Sequence, residues 1–125
     1  MRLKVKERQA DGIAILDFSG RIVLGKETAL MRDSVLDLIA RGRTSIVLNL
    51  SDVPYIDSTG IGELVSALQA VRHAGGDLKL LNLTRKVQDM VEVVRLGTFF
   101  ELFEDEAAAV KSFTRKPKPG LARAS

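Results

Sequence analysis

Residues 45–62 read SIVLNLSDVPYIDSTGIG, and this stretch decides the fold. Residues 45 to 50 form a short apolar run rich in β-branched side chains, the mark of a strand buried on both faces. Pro54 forbids a continuing central strand. Ile61, Leu64, Val65, Leu68 and Val71 then recur at helical spacing and predict a helix over 58–73. A buried strand passing through a short loop into an amphipathic helix is half of a strand–helix–strand unit.

Reading outward from this stretch, the pattern repeats. Gly75-Gly76 closes the helix, and residues 78 to 83 make another buried strand. Thr84 can cap a third helix with Val87, Met90, Val91 and Val94 as its inner stripe. Gly97 stops it, and Phe99, Phe100 and Phe103 flank a short last strand. Asp105 can cap a fourth helix ending near Phe113, with Val110 on its inner side. Towards the amino terminus, Leu30, Met31, Val35, Leu38 and Ile39 give one stripe on a helix over 25–40, ended by Arg41-Gly42-Arg43. Before it, Ile13 to Phe18 pairs with a strand around Leu3 and Val5 through Asp11-Gly12, a two-residue hairpin signal. The expected architecture is α/β: a mostly parallel, mixed five-stranded sheet with about four helices, opening with an antiparallel hairpin.

The 125 residues suit one domain. The absence of cysteine excludes disulfides, zinc–thiolate sites and thiol nucleophiles. No run approaches the ~20 apolar residues of a membrane helix, and charges interrupt residues 1–12, so no membrane insertion and a cytoplasmic location are expected. The net charge of +3 belongs to residues 115–125, RKPKPGLARAS, which carry four basic residues and no acid. Without them, 15 basic residues face 16 acidic ones. With two prolines and no apolar periodicity, this tail is expected to be disordered, leaving residues 1–114 as the folded domain. Basic residues gathered on a folded face, which nucleic-acid binding requires, are not in evidence.

Catalysis finds little support. His73 is the only histidine and lies fifteen residues after Ser58 on the same predicted helix, roughly 22 Å away at ~1.5 Å per residue. A Ser-His-Asp triad cannot form across that gap. Gly60-Ile61-Gly62 is a fragment of a dinucleotide fingerprint without its third glycine, and no phosphate loop of the GxxxxGK[ST] type occurs. No cofactor or metal is expected. In the loop itself, Asp57 or Ser58 can cap the second helix. Gly60 and Gly62 carry no side chain beyond hydrogen, so another surface could approach the backbone closely.

The stretch from Ser45 to Val110 resembles the centre and end of a STAS domain. DSTGIG at 57–62 is similar to the family signature D-S-[ST]-G-[LI]-G, and the likeness extends back through Gly20-Arg21-Ile22 to the opening hairpin, over about residues 3 to 113. The resemblance implies an anti-sigma factor antagonist rather than an enzyme. In such members the serine after the aspartate is phosphorylated by a serine kinase that is itself the anti-sigma factor. Here that position is Ser58, with Thr59 as the alternative acceptor. The unmodified form binds the kinase and frees a sigma factor; the phosphorylated form does not, and a phosphoserine phosphatase would reverse the modification. The implied contact surface comprises Arg21, Tyr55, Asp57, Thr59, Gly60, Ile61 and Gly62. One departure is Val23, where many members carry an acid. Alternatives are a STAS scaffold of the stressosome or a lipid-transporter subunit, acting by protein binding without phosphorylation. A nucleotide-binding enzyme using the second helix start is a third reading, opposed by the missing glycine loop and missing base.

Overall fold

A computed structural model describes residues 2–93 and 100–113. The 115–125 tail, Val94, Gly97 and Phe99 lie outside the described residues.

The chain opens with β1 (Lys4–Ala10) and β2 (Ile13–Ser19), paired antiparallel from Ala10↔Ile13 to Lys4↔Ser19. Asp11 and Gly12 join them with φ of 52° and 80°, the left-handed pair that a tight hairpin of this twist requires. Then follow α1 (Lys26–Ala40), β3 (Ser45–Asp52), α2 (Ser58–His73), β4 (Asp77–Leu81), α3 (Arg85–Val93), β5 (Leu102–Phe103) and α4 (Glu106–Ser112). The five strands lie in the sheet in chain order, with β2 to β5 parallel.

Chain-order neighbours joined by crossovers of one hand must place the connecting helices on one face. The main core accordingly packs Leu16 and Phe18 of β2, Ile46, Leu48 and Leu50 of β3, and Leu78 and Leu80 of β4 against Met31, Val35 and Leu38 of α1, Leu64 and Leu68 of α2, and Val87 and Val91 of α3. The alternate residues, Ile13, Ile15, Val47 and Leu81, form a smaller cluster with Ala109 and Val110 of α4. The helix after the last strand, freed from crossing back, covers the opposite face. β3 thus contributes to both clusters, with Ile46, Leu48 and Leu50 on one side and Val47 on the other.

Two boundaries differ from the sequence reading. β3 runs to Asp52 because the Gly20 amide donates to the Asp52 carbonyl, extending the ladder until Pro54. β4 stops at Leu81 because Asn82 adopts φ 58°, a left-handed conformation that breaks a strand. Thr84 precedes α3 and its hydroxyl donates to the Val53 carbonyl at 2.8 Å, tying the start of that helix to the loop after β3.

The second face also carries charge. The Arg8 guanidinium donates to Asp17 at 2.6 and 3.1 Å and to Glu106 at 2.6 and 2.9 Å, and Asn49 donates to Asp17 at 2.8 Å. Lys79, 4% exposed in β4, places its ammonium 2.6 Å from the Ser112 hydroxyl, 3.1 Å from Glu101 and 4.2 Å from the centre of the Phe113 ring.

Candidate functional site

The loop 20–25 after β2 and the loop 53–57 after β3 continue the parallel pairing of their strands beyond the sheet. The Ile22 amide donates to Tyr55 at 3.1 Å, and the Asp57 amide donates back to the Ile22 carbonyl at 3.2 Å. Ile22 and Ile56 face each other in a parallel bridge, both fully buried. Buried apolar side chains anchor each loop from beneath, so their polar residues stand at fixed positions on the rim.

Asp57 completes this zipper. One carboxylate oxygen accepts from the Gly60 amide at 2.8 Å and caps α2; the other accepts from the Leu24 amide at 2.9 Å. A single side chain thereby satisfies a free donor of the helix start and locks the neighbouring loop to it. The sequence left the cap open between Asp57 and Ser58; the structure gives it to Asp57. Ser58, the first residue of α2, is exposed. Thr59 beside it is half-buried.

The glycines play unequal parts. A Cβ on Gly60 would lie 2.6 Å from the Ile22 carbonyl oxygen and 2.6 Å from the Ile56 side chain. The close approach that glycine permits at this position is therefore made by the protein's own loop, and Gly60 is buried rather than open to another surface. At Gly62 a Cβ would meet nothing within 4 Å, and this glycine does leave the helix face bare. Ile61 packs into the main core at 6% exposure, so its side chain has little to offer a partner.

The surface around Ser58 is consequently made by Tyr55, 36% exposed, Gly62, half-buried Thr59 and the exposed Arg21 of the adjoining loop. Leu24, 71% exposed, belongs to the same rim through its bond to Asp57 and was not singled out from sequence. Its signal was an apolar residue outside every helical or alternating stripe. Glu63 is paired with Arg32 of α1 at 3.2 Å, so much of its charge is answered locally. Half-buried Val23 presents no charge where an acid was considered.

His73 is exposed in the last turn of α2, at the opposite end from Ser58. Among the described residues no three His, Asp or Glu side chains gather in a metal-binding group. Among them, too, no helix is long and apolar enough to cross a membrane. The site offers an exposed hydroxyl on a rigid helix start, a bare stretch of helix and two exposed apolar side chains. Such parts could serve a docking surface.

Comparison with known proteins agrees with this architecture. The family model of the STAS domain matches residues 4–109. The anti-sigma-B factor antagonist of Bacillus subtilis is 26% identical over 102 residues, covering 82% of this chain and 92% of its own. A solved structure from Thermotoga maritima superposes with a TM-score of 0.82 at 24% identity, covering 89% of this chain and 95% of that one. The Bacillus cell fate determinant SpoIIAA in its phosphorylated form superposes with a TM-score of 0.68 at 17% identity, covering 87% and 98%.

Proposed function

This chain belongs to the STAS domain family, and from that premise we propose that it is an anti-sigma factor antagonist switched by phosphorylation of Ser58. Unmodified, it docks on an anti-sigma factor that is also a serine kinase and releases a sigma factor. With phosphate on Ser58 it lets go, and a phosphoserine phosphatase resets it. It works in the cytoplasm, by binding rather than by turnover. The observation that carries the reading is the exposure of Ser58 at the first position of α2 while Asp57 performs the cap. The hydroxyl is spared structural duty and open to a kinase. The name borne by the Bacillus subtilis relative supports the same role.

The physics of the switch follows from position. Phosphate brings about −1.5 to −2 charges and three acceptor oxygens. A helix amino terminus tolerates an anion, because its free amides and dipole favour negative charge. Phosphorylation therefore leaves the fold intact, and its cost falls on the complex. Within ~6 Å of a partner carboxylate, the repulsion is roughly 1 kcal/mol in water-like surroundings and about 5 kcal/mol at an effective dielectric of 20. Each ~1.4 kcal/mol is tenfold in affinity. Tyr55, Leu24 and Gly62 supply the contact on the unmodified face, with Arg21 and Thr59 at its edge.

The test is phosphorylation by a candidate anti-sigma serine kinase, with the modified residue mapped by mass spectrometry. Modification at Ser58, its loss in Ser58→Ala, and tight kinase binding by that variant are expected. Ser58→Asp should bind at least tenfold more weakly with unchanged stability. Equal kinase affinity of the wild type and Ser58→Asp would refute the switch.

A further inference from the structure

Beside the Ser58 rim, at the same end of the sheet, lies a feature that shares Arg21 with the edge of the docking surface and otherwise stands apart from it. Residues 2–3, the loop after β2 and the first turns of α1 border a half-open hollow of about 480 Å³ lined by Arg2, Leu3, Arg21, Lys26, Glu27 and Leu30. Three cations thus surround one concavity and only one carboxylate opposes them. Several arginines elsewhere are answered by acids: Arg8 by Asp17 and Glu106, Arg32 by Asp33 and Glu63, Arg41 by Glu7 and Asp37. Among the described residues, no ion pair or hydrogen bond engages the side chains of Arg2, Arg21 or Lys26.

Unpaired like charges around a hollow repel one another, and an anion between them relieves that repulsion. The volume falls within the range of small-molecule pockets, and the loop after β2 brings the hollow to the carboxyl end of the parallel strands. Leu3, 2% exposed and packed into the main core just before β1, anchors one side of the hollow. Guanidinium groups match phosphate oxygens two at a time, and the lysine adds a point charge. We propose that this pocket binds a small anion of the phosphate class, either a free oligophosphate or the phosphate group of a larger small molecule.

The test is a titration of the full chain with pyrophosphate at low salt, read by amide NMR, with glycerol phosphate and sulfate as parallel arms. Saturable shifts confined to residues 2–3 and 20–30 are expected. Stronger binding of pyrophosphate than of glycerol phosphate assigns a free oligophosphate; the reverse assigns a phosphate ester. At about fivefold in affinity per unit charge, Arg2→Ala with Lys26→Ala should weaken pyrophosphate roughly 25-fold, and Arg21→Glu by a similar factor. A dispersed spectrum certifies that each variant is folded. Shifts spread evenly over Lys4, Lys6 and other surface cations would overturn the proposal. So would a double variant that binds like the wild type, or sulfate binding as tightly as pyrophosphate. No kinase enters the experiment, so its outcome is independent of the docking proposal.

Discussion

Two glycines, two residues apart in one helix, should respond with opposite sign to the same substitution. At Gly60 an added methyl would sit 2.6 Å from the Ile22 carbonyl oxygen and from the Ile56 side chain. Reaching ordinary contact at 3.4 Å requires a shift of roughly 0.8 Å. Little there can yield cheaply. The Ile22 carbonyl is backbone, and it already accepts the Asp57 amide at 3.2 Å, while Ile22 and Ile56 are fully buried. Overpacking of this kind costs about 1–3 kcal/mol. The gain in helix propensity from Gly to Ala is up to ~1 kcal/mol in a helix interior and smaller near an end. Gly60→Ala should therefore lose about 1–2 kcal/mol net. At Gly62 the methyl enters open space, the backbone is helical, and only the propensity gain remains, so Gly62→Ala should gain a few tenths to ~1 kcal/mol. Urea denaturation followed by circular dichroism measures both midpoints. If Gly60→Ala were as stable as Gly62→Ala, the close packing of the two loops against α2 would be wrong. The same pair separates stability from docking. Gly62→Ala should weaken kinase binding by covering the bare helix face, although it stabilises the chain.

Three further perturbations test the frame around the site. Asp57→Ala removes the cap and the tie to Leu24 together and should cost about 1–2 kcal/mol, with Asp57→Asn milder; denaturant midpoints decide. On the second face, hydrogen bonds from Arg8 hold the Glu106 carboxyl below its usual range. At Asp17 burial pushes the carboxyl up, but the bonds from Arg8 and Asn49 outweigh it and the net shift is also downward. Groups with depressed folded values contribute stability above their unfolded values and lose it as they protonate. Stability should therefore fall as pH drops below about 4, and Arg8→Met should flatten that acid limb of a thermal-melting profile. Lys79→Met keeps the side-chain volume but gives up the bonds to Ser112 and Glu101 and the charge over the Phe113 ring, so it should cost about 1–2 kcal/mol; Lys79→Ala leaves a cavity as well and should cost about 2–4 kcal/mol.

The parts of this fold legible in the sequence are those encoded by local periodicity. The Asp11-Gly12 turn, the stripe Leu64, Leu68 and Val71, and the cap at Asp105, which accepts from Ala108 at 2.9 Å, each depend on residues within one element. What could not be read depends on partners far apart in the chain. Arg8 and Glu106 meet across 98 residues, and no spacing rule pairs them. Lys79 interrupts an apolar strand, and its meaning appears only when α4 brings Ser112 and Phe113 over it. The glycine motif shows the limit most clearly. Its need for close approach was evident, but whether the visitor to Gly60 is another molecule or Ile22 depends on the ladder between two loops separated by more than thirty residues.

On the proposed switch, that ladder would let one helix start be both firmly held and open to modification. Ser58 could not serve as a clean switch if its oxygen held the helix together, because modification would then loosen the fold as well as the contact. Asp57 removes the conflict by taking the Gly60 amide with one oxygen and the Leu24 amide with the other. Its neighbour's hydroxyl then stands outside the bonding scheme of the frame. A phosphate there would meet a fixed backbone on one side and the docking partner on the other, so its charge would be felt by the complex with little absorbed in refolding. The division predicts that the effects of Asp57→Asn and Ser58→Asp on kinase affinity remain separable. The first should act in proportion to the stability lost, the second with no loss at all. Equal loss of stability in both would mean that Ser58 shares the cap, and the switch would have to work by loosening the helix.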